Sequence, residues 1–107
     1  MTAAQFRKIA LGFPGAIEKA HMNHPDFRVA EGGKIFATLG PDENRAMVQL
    51  SPVEQSWFIR SEPKVFSPAS GAWGLRGSTV VSLRDAKVAG MKEALAAAFE
   101  GVASRKQ

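Results

Sequence analysis

The apolar positions of this chain change period along its length. Phe6, Ile9, Ala10 and Phe13 recur at helical spacing, while Arg7 and Lys8 point elsewhere. Thr2 and Gln5 stand where a capping box starts a helix. The pattern predicts an amphipathic first helix that stops around residues 12–15, because Pro14 cannot continue it. Phe6 and Phe13 are expected in the core. After that the period falls to two. Residues 16–22 fit a short strand before a turn at Asn23-His24-Pro25. Residues 26–30 read as a second strand, with Phe27 and Val29 on one face and Arg28 on the other. Glu31-Gly32-Gly33 is a hairpin turn, since glycine supplies positive φ without a Cβ clash. Residues 34–39 form a third strand, with Ile35, Ala37 and Leu39 on one side. A polar turn over 41–44 leads to a fourth, 46–50, in which Ala46, Val48 and Leu50 alternate with Met47 and Gln49. The last three strands are predicted to pair as an antiparallel meander.

Ser51-Pro52-x-Glu54 is a strong helix start: serine caps, proline takes the first helical position, and glutamate completes the box. This helix is predicted to reach about Ser61 and to stop before Pro63. Val53 and Trp57 share a face and Ile59 points away from it. Trp57 is expected half-buried. Val65-Phe66-Ser67 suggests another short strand. The stretch 63–81 holds three glycines, two prolines, Trp73, Lys64 and Arg76, with no carboxylate. Each interior glycine costs a helix about 1 kcal/mol relative to alanine, so a loop or wing is predicted here. It runs through Thr79-Val80-Val81 into a strand over 78–83. Asp85 is expected to cap a last helix, along which Val88, Met91, Leu95, Ala98, Phe99 and Val102 keep a 3.6-residue rhythm. Gly90 weakens that helix locally, and 104–107 read as a frayed basic tail. The order is helix, meander, short helix, one or two strands, helix. It predicts an α+β fold with helices packed on one face of an antiparallel sheet and the other face partly open.

Composition narrows the class. The 107 residues suit one domain, and 45% hydrophobic with 22% charged residues is ordinary for a globular protein. No apolar run reaches the length of a membrane span, no signal peptide is legible, and the expectation is a cytoplasmic protein without a membrane partner. Zero cysteines exclude a disulfide framework, a thiolate nucleophile and a Cys-ligated metal. The net charge of +4 permits attraction to polyanions. The excess is local, because 63–84 carries Lys64, Arg76 and Arg84 and no acid.

His21 and His24 have i,i+3 spacing and Asp26 is close in sequence, but two imidazoles without a firm third ligand make a poor metal site. A turn histidine and a strand-surface histidine are expected, with no metal and no cofactor. No Gly-x-Ser-x-Gly elbow is present, and no acid, base and nucleophile are legible together, so no catalytic residue is assigned and no enzyme is expected. Gly71, Gly74 and Gly77 are not followed by the Lys-Ser/Thr of a phosphate loop, which makes them bend-forming positions first. Trp73 has two readings. It anchors the loop on the core, the expected one with Arg76 in solvent, or it is an exposed ring that stacks on a base or ligand.

Several blocks in chain order carry a resemblance. They are Pro14-Gly15, the run His24-Pro25-Asp26-Phe27-Arg28-Val29, Lys34-Ile35-Phe36-Ala37, Gln55, and Phe66-Ser67-Pro68 through Gly71-Ala72-Trp73-Gly74. In these the chain resembles the MmcQ/YjbR-like family of small bacterial proteins. The resemblance implies an α+β fold of the CyaY/frataxin type. It also implies DNA binding, a label the family carries by analogy with a double-wing module of a phage transcription factor. Ser78 departs from the pattern, because family members often place a tryptophan just after the last glycine. The frataxin-like fold implies no iron here, since the acidic ridge that iron would need is missing from a basic chain.

Three functional expectations follow. The first is a non-enzymatic, monomeric protein that binds DNA or RNA through the open face and the 63–84 wing, using Arg28, Lys34, Lys64, Trp73, Arg76 and Arg84. The second is a small-molecule or peptide-binding module whose pocket is lined by His24, Arg28, Phe36 and Trp73. The third is an interaction domain that adds a partner through the sheet.

Overall fold

Both capping boxes form. Thr2 Oγ1 accepts from the Gln5 amide at 3.1 Å and Gln5 Oε1 accepts from the Thr2 amide at 2.9 Å. They open α1, Ala3–Ala10. Ser51 and Glu54 repeat the exchange at 3.1 and 3.0 Å and open α2, Pro52–Ser61, with Pro52 at its start. The computed structural model describes residues 1–21, 23–42 and 44–105, and of His21 the backbone only. Met22, Glu43, Lys106 and Gln107, at which three of the predicted segments end or pass, lie outside the described residues.

Between and after these helices run β1 (Ile17–His21), β2 (His24–Arg28), β3 (Ile35–Leu39), β4 (Arg45–Gln49), β5 (Phe66–Pro68), α3 (Gly71–Leu75), β6 (Ser78–Ser82) and α4 (Val88–Ser104). The strands make one antiparallel sheet in the order β1-β2-β3-β4-β6-β5. The chain is therefore α+β. α4 lies across β3 and β4, and α1 packs on α4. The core sits between these helices and one sheet face. Phe6, Phe27, Phe36, Phe66, Leu39, Leu83, Met91 and Leu95 are all fully buried there. Among the described residues no helix is long and apolar enough to cross a membrane.

Three local expectations change. β2 begins at His24 instead of within a turn, because His21 pairs with His24 and the bend falls earlier, where Asn23 takes a φ of 66°. Asparagine tolerates that conformation better than most residues. Asp85 does not cap the last helix. It accepts a 2.9 Å hydrogen bond from Ser82 Oγ in the turn after β6, and Lys87 occupies the cap position of α4 without a side-chain bond. The third change concerns β3. Phe27 pairs with Ala37 and Arg28 with Ile35, so Phe36 is an extra, bulged residue. The bulge breaks the alternation expected of Ile35, Ala37 and Leu39. Phe36 and Ala37 are both buried, while Ile35 turns to the opposite face. Phe36 then meets Phe99 edge-on at 5.2 Å and Phe13 at 6.1 Å beneath α4.

Candidate functional site

The face of the sheet away from α4 is uncovered over its centre, as the element order predicted. Its character follows from strand alternation. Opposite the buried row Phe27, Ala37, Val48 and Thr79 stands the neighbouring row Asp26, Thr38, Met47 and Val80, paired strand to strand.

The glycine-rich stretch closes one end of this face, and it does so as a helix. α3 forms although the local sequence argues against it, because its backbone is packed closer than any side chain would permit. A Cβ on Gly74 would lie 1.8 Å from the Ala69 carbonyl oxygen. A Cβ on Gly77 would lie 1.8 Å from the Leu50 carbonyl oxygen, and Gly77 also has a φ of 114°. Gln55 on α2 clamps the arrangement: its Nε2 donates to the carbonyls of Gly74 and Ser78, each at 3.0 Å. The bend-forming reading of these glycines therefore describes the geometry, whereas the loop reading of 71–75 does not.

The same packing decides Trp73. Gly74 faces inward, so Trp73 beside it points outward and is 64% exposed. The expected core anchor is thus a surface ring. Arg76, one turn further on, places its guanidinium carbon 5.8 Å from the Trp73 centroid. Trp57 is also half-exposed, at 51%, close to its expectation.

Trp73 walls a cleft of about 450 Å³ on the open face. Ile35 and Met47 supply apolar lining; Thr38, Gln49, Ser70 and Ser78 supply polar groups; His24 is at the far side. Ser78 Oγ donates to Gln49 Oε1, which fixes the Gln49 amide. A second hollow, of about 450 Å³, adjoins the first through Ser70 and is lined by Arg45, Lys64, Ser67 and Ser82.

The residues predicted from sequence separate on this map. Trp73 and His24 line one cleft, and Arg76 stacks on Trp73. Lys64 lies in the adjoining hollow. Phe36 does not line the cleft, because the bulge turns its ring into the core at 0% exposure. Arg28 does not line the cleft. Its Nε donates to Asp26 Oδ1 at 2.9 Å and its Nη2 to Oδ2 at 3.3 Å, and the Asp26 side chain is fully buried. The Asp26 hydrogen bond raises the Arg28 pKa above its ordinary value, by more than desolvation lowers it. That guanidinium is a structural partner. Lys34 is exposed in the turn before β3 and lines neither hollow. Arg84 is 89% exposed beyond the end of β6 that is remote from Trp73, with Asp85 3.8 Å away. Among the described residues no three metal-ligating side chains cluster, and His21 as a ligand lies outside what is described.

Sequence reasoning did not assign Thr38, Met47, Gln49 or Ser70 to the site. The signal was available for two of them. Met47 and Gln49 alternate with the buried Ala46, Val48 and Leu50 on β4, a central strand, and so had to floor the uncovered face. Nothing local marks Ser70.

Neither a family model nor a curated protein matches the sequence. Among solved structures the chain is similar to Deinococcus radiodurans protein DR2400, which carries the family-model domain DUF419. The two superpose with a TM-score of 0.80 at 14% sequence identity, over 97% of this chain and 80% of that one. At that identity the likeness establishes the fold and nothing finer.

Proposed function

We propose that this is a nucleic-acid-binding protein without enzymatic activity, which grips its ligand across the open sheet face and α3. The observation that carries the reading is the exposed Trp73–Arg76 pair at the edge of a cleft. An aromatic platform beside cations is how sequence-tolerant proteins hold nucleic acid: rings stack on bases while cations track phosphates. Arg76, Lys64 and Arg45 are the phosphate contacts; Arg28, committed to Asp26, is not. The net charge of +4 and the DNA-binding label of the resembled MmcQ/YjbR-like family agree with this. Three phosphate contacts predict a log–log salt slope of about −2 on a single strand, from roughly 0.7 per contact. Fluorescence anisotropy with labelled DNA and RNA at several salt concentrations tests it. Absence of salt-sensitive binding below about 100 μM protein overturns the reading.

A second reading has its own observation. The cleft volume of about 450 Å³ is that of a small-molecule site, and Ser78, where the family often has a ring, keeps it open. Thermal-shift screening against planar heterocycles separates it from the first: stabilisation by a free heterocycle with no polymer binding favours the small ligand.

A further inference from the structure

We infer that the cleft beside Trp73 takes a single unstacked nucleobase, so that the ligand of this surface is single-stranded rather than duplex nucleic acid. This rests on the nucleic-acid reading above and specifies it.

Arg76 covers one side of the Trp73 ring, and no other aromatic ring or cation stacks on it among the described residues. A ring held from one side has its other face to offer. The cleft that Trp73 walls has an apolar floor in Ile35 and Met47, suited to the flat face of a heterocycle. Apart from the His24 imidazole at its far side, its polar side chains are hydroxyls and an amide. Thr38 Oγ1 and Ser70 Oγ have no hydrogen-bond partner among the described residues. Gln49 has its carbonyl end held by Ser78 Oγ, which leaves Nε2 as a donor with its orientation set. Hydroxyls and an amide in a cleft lined by no carboxylate, lysine or arginine match the neutral hydrogen-bonding edge of a base, not a phosphate.

The cations stand at the margins. Arg76 is outside the ring, and Arg45 and Lys64 line the hollow that continues from Ser70. Base in the cleft and phosphates along the margin is the layout of one strand. In a duplex both faces of each base are covered by its neighbours, so neither the Trp73 face nor the cleft floor has a partner until a base leaves the stack.

The test uses the full chain with Trp57→Phe, which makes Trp73 the sole tryptophan and its fluorescence specific to the cleft. The probes are a short oligothymidylate, a hairpin duplex with the same number of phosphates, and thymidine monophosphate, all at low salt. Oligothymidylate is expected to quench Trp73 and to bind at least about tenfold tighter than the duplex. Trp73→Ala is expected to weaken oligothymidylate binding about tenfold to a hundredfold, the usual effect of losing one stacked base, with an unchanged circular dichroism spectrum. Gln49→Ala should weaken it less and leave duplex binding alone. Equal binding of duplex and single strand, unaltered by Trp73→Ala, overturns the inference while nucleic-acid binding itself survives. No binding of either polymer overturns both. Monophosphate binding as tight as the oligomer also overturns it and assigns the cleft to a small ligand.

Discussion

The two faces of the sheet treat aromatic residues in opposite ways. All seven phenylalanines belong to the core or pack against it, whereas both tryptophans are at least half-exposed on α2 and α3. On the covered face rings interlock: Phe13 stacks on Phe99 at 5.0 Å, and Phe6 meets Phe27 edge-on at 5.9 Å. On the open face Trp73 stacks on no aromatic ring among the described residues and has the Arg76 guanidinium over it. A phenyl ring gains from burial and carries no polar atom that must be satisfied. An indole left in water forgoes most of that gain, and packing does not require it to be there. The covered face holds the fold and the open face presents chemistry. Stability and binding should therefore respond to different residues, and that separation can be attacked directly.

The largest loss of stability is expected in the covered face. Phe36→Ala should destabilise the protein by about 3–5 kcal/mol in urea denaturation, as a cavity opens between Phe13 and Phe99. A value under about 1 kcal/mol would return Phe36 to the open face and undo the bulge. Next come the contacts that join the two regions. Gly77→Ala drives a Cβ into the Leu50 carbonyl at an unfavourable φ, and should cost about 1–3 kcal/mol. It should weaken nucleic-acid binding as well, because α3 must shift and Trp73 with it. Gln55→Ala removes two hydrogen bonds, to Gly74 and Ser78, worth about 1–3 kcal/mol together. Chemical denaturation and an anisotropy titration on the same variant show whether both properties fall in step. The smallest stability effect belongs to Trp73→Ala, within about 0.5 kcal/mol of the parent, although it should abolish most of the binding. A large stability loss there would mean that Trp73 is a packing residue, and the contrast between the faces would collapse.

Much of the layout was legible because it depends on neighbours in sequence. Capping boxes span three residues, and alternation in β4 and the 3.6-residue rhythm of α4 repeat within single elements. In each error a competing contact overrode a local preference. Asp85 has the chemistry of a cap but is engaged by Ser82 in the preceding turn. Phe36 follows strand alternation until a register slip against β2 reverses it. Residues 71–75 have poor helix propensity, which the approach of α3 to Ala69 and the Gln55 clamp override. For Phe36 and for residues 71–75 a contact with a different segment outweighed a local preference of about 1 kcal/mol, whereas for Asp85 the competitor was a turn three residues away.

The amino-acid sequence by itself determined the elements other than α3, their order, the antiparallel α+β arrangement and the existence of an uncovered sheet face. These follow from periodicity and capping, which a chain carries wherever it goes. Only the tertiary structure decided which side chains meet on that face. It bound Arg28 to Asp26, sent Phe36 inward, and turned Trp73 out beside Arg76. The last two outcomes depend on register and on the closest approach of backbones, which segments far apart in the chain set, whereas Arg28 and Asp26 are neighbours on β2.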